Sequence, residues 1–156
     1  MRLLVGLLVA VALTAAACGS DGASSCIEIR EPLDPLFTQH VIDPDGLTYL
    51  TDPPTSGPHL SGPSISGLLA EGLIPAAQVR VLEEGGLVVQ YEDSVAVEDL
   101  QSLLDANEVP IAIAPAESLP SPVVATAWTW KLTCDGPDLA RIREFAGRTA
   151  AAPGTD

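Results

Sequence analysis

The apolar patterning predicts a single compact α/β or α+β domain, with a small mixed sheet of four or five strands packed with two main helices. Three observations carry this. Leu87–Tyr91 alternates as a strand, Val97, Leu100, Leu103 and Leu104 recur at helical spacing, and residues 109–114 form an unbroken apolar run. Strand, helix and buried strand in that order imply a parallel pair with a right-handed crossover. A second amphipathic segment, 138–147, opens at Gly136-Pro137 and sets Leu139, Ile142 and Phe145 on one face. Residues 26–147 are long enough for one domain with its own core, and no internal repeat divides them.

Residues 1–17 read as a secretory signal peptide. Arg2 supplies a positive start, and residues 3–17 carry no charge. That run is shorter than the ~20 residues a transmembrane helix needs. Ala15-Ala16-Ala17-Cys18 places small residues before a cysteine, so Cys18 is expected to be lipidated (a palmitate-type anchor), with 18–25 as a flexible tether. The predicted location is the extracytoplasmic face of the cell membrane. The same Ala-x-Ala suits ordinary signal peptidase, so a secreted protein is the alternative. Lipidating Cys18 leaves an even pair, Cys26 and Cys134, which an oxidising compartment would join. Reduced core thiols, or a metal pair with the histidines, are the alternatives.

The residues Cys26 to Arg30 alternate as a first strand with Ile27 and Ile29 on one face, ended by Pro32 and Pro35. His40-Val41-Ile42 begins another extended piece, and Asp43-Pro44-Asp45-Gly46 is a turn. In residues 49–59, Pro53 and Pro54 fix φ and remove two donors, Gly57 permits a turn, and Pro58 stiffens the approach to His59. A rigid, irregular loop presenting Thr55, Ser56 and His59 is expected. Residues 64–71 suit one or two helical turns, stopped by Gly72 and Pro75. Residues 79–82 fit helix or strand. Asp93 or Ser94 should cap a helix over 95–106. Residues 115–122 read as a proline-rich loop. The segment 123–132 reads as one last strand with Val124, Trp128, Trp130 and Leu132 on one face, the tryptophans as core. Residues 148–156 should be a loose tail.

A net charge of −14 at pH 7 argues against nucleic-acid binding and against direct docking on anionic headgroups, so membrane attachment would need the lipid. Gly-x-Gly-x-x-Gly, P-loop and Cys-x-x-Cys patterns are absent from the sequence, which argues against nucleotide and thioredoxin-type chemistry.

Tyr49 with Pro53-Pro54-Thr55-Ser56-Gly57-Pro58-His59 is the most specified run in the chain. With it go Val79-Arg80-Val81-Leu82-Glu83-Glu84-Gly85-Gly86, the adjoining Leu87-Val88-Val89-Gln90-Tyr91, and Ala125-Thr126-Ala127-Trp128. Together these resemble the domain of unknown function 3105 family, largely bacterial envelope proteins, over about residues 40–145. The resemblance implies an envelope protein and little chemistry. That family usually reads Val-His-x-Leu-Glu-His-Gly in the second block. Here Arg80 and Glu84 replace both histidines, leaving His40 and His59 as the chain's two.

His40 and His59, with Glu84 or its neighbour Glu83 as a carboxylate, would make a recognised zinc set that also suits copper(II). A nearby Arg80 would oppose a cation. The plainer reading is two hydrogen-bonded structural histidines. Ser56 with His59 as base would need a third, orienting group that the sequence does not assign. Thr55 and Ser56 are expected to bond their own loop's backbone. Arg80 and Glu84 would pair if they lie one helical turn apart. The sequence thus favours an exported, lipid-anchored, non-catalytic binding or interaction module of the cell envelope, with an unidentified protein partner. The alternative is an envelope copper- or zinc-binding protein using His40 and His59, and an enzyme ranks third.

Overall fold

The computed structural model describes residues 24–105 and 109–150. The expected signal peptide, Cys18, tether residues 19–23, Ala106 and residues 151–156 lie outside the described residues. The mixed α and β architecture is present, and its sheet is larger than the four or five strands expected. In chain order the elements are β1 (Cys26–Arg30), β2 (His40–Val41), β3 (His59–Leu60), β4 (Gly67–Leu68), α1 (Pro75–Glu83) and β5 (Leu87–Tyr91). Next come α2 (Glu98–Gln101), β6 (Ile111–Pro115), β7 (Val123–Ala127), β8 (Trp130–Cys134) and α3 (Leu139–Ala146). Six strands form one sheet in the order β1-β8-β7-β5-β6-β4, while β2 and β3 pair separately. The expected parallel pair is β5 with β6, and β4 adds a second parallel neighbour to β6.

Both faces of the central strands are covered, which explains their nearly continuous apolar sequences. On one face Leu87, Val89, Ile113 and Leu132 pack against Leu100, Leu103, Ile142 and Phe145. On the other, Val88 and Ala112 pack against Val79, Val81 and Leu82 of α1 and against Trp128. α3 forms as expected, its first turn capped by the Asp138 side chain accepting from Arg141 N at 2.9 Å.

Three sequence expectations are corrected. Residues 64–71 are not helical. Gly67, at φ +100°, enters β4 instead, and Leu69 N donates to Ile113 O at 2.8 Å, using the open edge of β6. The helix expected over 95–106 shrinks to α2. Its N-cap is Val97, with no side-chain cap, and successive i→i−3 bonds around it still deliver Val95, Leu100 and Leu103 to the core. The single strand over 123–132 is a tight hairpin turning at Trp128 and Thr129, with Ala127 opposite Trp130. Thr129 sits at φ +61°, held by Glu31 N donating to its carbonyl at 2.9 Å and its own N–H donating to Thr55 O at 3.0 Å. The tryptophans therefore part. Trp128 joins the α1-side core, and Trp130 stacks beneath the Arg148 guanidinium at 4.8 Å.

β1 is an edge strand, paired along its length with β8 and joined to it by the Cys26–Cys134 disulfide (S–S 2.05 Å). Ile27 and Ile29 share a face, as expected, but it is the exposed one. The opposite face carries Glu28, which takes ion pairs from Arg141 and Arg148 and so ties β1 to α3. Arg148, expected to begin the loose tail, is anchored by this contact. Burial pushes the Glu28 carboxyl up, but hydrogen bonds from Arg148 and Arg141 outweigh it, and its pKa falls below the ordinary glutamate value. Its contribution to stability is therefore full above the unfolded pKa of ~4.3 and is lost as pH falls through the lower folded value. Glu28→Gln should flatten the acid limb of a stability–pH curve below pH ~4. An unchanged slope in urea titrations would contradict this.

Candidate functional site

Residues 53–59 are buried, so the loop does not present Thr55 and Ser56 to solvent as expected. Its burial is tolerable because three of the seven residues are prolines without N–H groups, and its carbonyls find partners. Pro54 O accepts from Gln78 Nε2 at 2.8 Å, Thr55 O from Thr129 N at 3.0 Å, and Pro58 O from the Tyr49 hydroxyl at 2.9 Å. Burial first, and the Asp34 carboxylate second, push Tyr49 up to about 12, so its phenol remains a donor. Asp52-Pro53 is cis. Ser56 does not bond its own loop. Its hydroxyl accepts from Asp34 N at 2.9 Å, tying the loop to the segment after β1. The Thr55 hydroxyl is buried without a partner among the described residues.

The loop ends in β3, which pairs in parallel with β2 so that His40 stands directly beside His59. Their rings meet edge to face, centroids 4.5 Å apart. His59 is fully buried, whereas the His40 side chain is 52% exposed and opens the site to solvent.

The carboxylate comes from α1, and of the two expected candidates, Glu84 and Glu83, it is Glu83 that lies beside both histidines. α1 begins with Pro75 at its first position and stops at Gly85-Gly86. Gly85 N donates to Leu82 O at 3.0 Å and Gly86 N to Val81 O at 2.9 Å, with Gly85 at φ +80°, a Schellman ending. This fixes the helical phase: Glu83 lies one turn after buried Val79 and points inward, and Glu84 is rotated ~100° toward the rim. Glu84 instead pairs with Arg80, as the i, i+4 spacing predicted, and accepts from the Ser64 hydroxyl.

His59 Nε2 lies 3.0 Å from Glu83 Oε2, and His40 Nε2 lies 3.7 Å from Oε1. The ligand atoms of the three residues all fall within 4.8 Å of one another. His59 Nδ1 faces the Gly57 carbonyl at 3.0 Å. A carbonyl only accepts, so Nδ1 carries a proton and the ring turns its Nε2 toward Glu83. That nitrogen is buried and, among the described residues, makes no aligned hydrogen bond despite its closeness to Oε2. A lone pair facing a carboxylate at this distance calls for a positive charge between them: a proton or a metal ion. Arg80 meets the same Glu83 oxygen through Nη1, a contact the sequence did not reveal. With neutral imidazoles, Arg80, Glu83 and Glu84 sum to one negative charge.

Neither nitrogen of His59 is directed at Ser56, since one faces Gly57 and the other Glu83. The Ser56–His59 nucleophile arrangement is therefore not formed.

Fold and site together define a mixed α+β domain with a largely buried histidine–carboxylate centre beside a proline-rich loop. The chain belongs to the family described as Protein of unknown function (DUF3105), whose model matches residues 40–155. The match includes His40, His59 and Glu83, while β1 and Cys26 precede it. No curated protein and no solved structure matches the chain.

Proposed function

We propose that this is an exported, non-catalytic binding module, anchored through a lipidated Cys18 on the extracytoplasmic face of the membrane, whose ligand is a copper(II) or zinc(II) ion held by His40, His59 and Glu83. The observation that carries the reading is the buried His59 Nε2, fixed by its Nδ1 bond to Gly57 and aimed at Glu83 without an aligned partner. Two imidazoles and a carboxylate are a ligand set both ions accept, and the half-exposed His40 leaves the site reachable from solvent. Export is supported by the paired Cys26 and Cys134, since disulfides persist in oxidising compartments. Anchoring is supported by the small residues before Cys18. Among the described residues no helix is long and apolar enough to cross a membrane.

The test is calorimetric titration of the purified protein with copper(II) and with zinc(II), beside a His40→Ala/His59→Ala variant. One-to-one binding that the variant loses is expected. Heats no larger than the variant's would remove the metal reading.

A further inference from the structure

We infer that Arg80 is the specificity-determining residue of this centre, a built-in counter-ion that holds Glu83 partly neutralised and lowers the affinity of the site for metal; this rests on the metal-binding reading above. The guanidinium occupies Glu83 Oε2, the same oxygen that faces His59 Nε2. An ion entering between His59 and Glu83 meets an oxygen already engaged and a fixed positive charge close by. It must take the other oxygen alone or displace the Arg80 contact.

Displacement is feasible because Arg80 has a second seat. Its Nη2 pairs with Glu84, and its Nε donates to Gly62 O at 2.6 Å. Glu84 is held in turn by the Ser64 hydroxyl. Giving up Glu83 therefore leaves the guanidinium neutralised and hydrogen-bonded. The consequence is selectivity. Hard cations such as calcium or magnesium depend on oxygen ligands, and the one carboxylate oriented into the site is shared with Arg80. Copper(II) and zinc(II) draw most of their binding from the two imidazoles and tolerate that sharing.

The test compares zinc(II) affinity in the unaltered protein, Arg80→Gln and Arg80→Lys, each checked for folding by circular dichroism. Arg80→Gln should bind zinc(II) about tenfold or more tightly than the unaltered protein, and Arg80→Lys, which keeps the charge, within about threefold of it. An arginine with only a structural role would, on removal, leave affinity unchanged or weaken it. Unchanged or weaker binding by a folded Arg80→Gln, beside stoichiometric binding by the unaltered protein, overturns the role of Arg80 and leaves the site standing. Tightening by Arg80→Lys equal to that of Arg80→Gln overturns it as well. Binding by Arg80→Gln alone supports both the site and its counter-ion. No binding by any of the three removes the site, and the inference with it. If Arg80→Gln does not fold, Glu84→Gln serves instead. It deletes the second seat, presses the guanidinium onto Glu83, and should weaken zinc(II) binding about tenfold, an unchanged affinity overturning the inference.

Discussion

Replacing Cys26 and Cys134 together by alanine should cost the domain about 4–5 kcal/mol. The bridge joins residues 108 apart in sequence, so it removes a large share of the unfolded chain's freedom. Cys134 is also fully buried in the main core and Cys26 packs against it, so the change removes packed sulfur as well as the link. Against the 5–15 kcal/mol typical of domains, such a loss is severe, and the melting temperature should fall by about 10–20 °C. The loss should begin locally. β1 is an edge strand with β8 as its sheet neighbour, and besides that ladder it is held by the bridge and by Glu28 with Arg141 and Arg148. Amide exchange over residues 26–30 should rise before exchange in β5 or β6 does. Thermal melts with and without reductant check the result, and a change under ~1 kcal/mol would show that the ladder and the Glu28 cluster alone hold β1.

Legibility in the sequence tracked the strength of local signals. β5 and β6 were legible because strands covered on both faces need near-continuous apolar runs, and α3 because Leu139, Ile142 and Phe145 share one stripe between a proline and a glycine. The Cys26–Cys134 bridge was expected from the sequence only on the reading that Cys18 is lipidated, with reduced thiols or a metal pair as the alternatives. The hairpin between β7 and β8 was hidden because Trp128 and Thr129 are not turn residues. Thr129 is held at positive φ by partners from distant segments, Glu31 and Thr55. β4 was hidden because two residues have no period, and it exists by virtue of the free edge of β6. The site shows the same division. His40, His59 and the proline-rich loop stand out in sequence. The choice of Glu83 over Glu84 depends on one residue of helical phase, which the Gly85-Gly86 ending of α1 sets. The burial of the loop depends on Gln78 and Thr129, whose contacts with it span dozens of residues.

Gly57→Ala should cost about 3 kcal/mol and should also damage the site. Gly57 lies at φ +131°, a conformation L side chains rarely adopt. An added Cβ would come within 2.9 Å of Tyr49 Cδ1 and 3.3 Å of Asp34 Oδ2. Neither neighbour can yield freely. The Tyr49 hydroxyl is bound to Pro58 O, and Asp34 is held through its carboxylate by Leu36 N and through its backbone by Ser56. Gly46→Ala is the internal control. It too has positive φ, +75°, but nothing within 4 Å of the added carbon, so it should show the backbone cost alone, about 1 kcal/mol. The excess of the Gly57 change over the Gly46 change measures the steric part. The functional consequence arises from the same residue, because the Gly57 carbonyl accepts a hydrogen bond from His59 Nδ1 and so fixes which nitrogen faces Glu83. Shifting that carbonyl frees the ring to turn, and zinc(II) affinity should fall about tenfold or more even where the variant remains folded. Urea denaturation and zinc(II) calorimetry on the two variants separate these effects. If Gly57→Ala costs no more than Gly46→Ala, the loop is not packed as tightly as its contacts imply. If stability falls and zinc(II) affinity does not, the Gly57 carbonyl is not what orients His59.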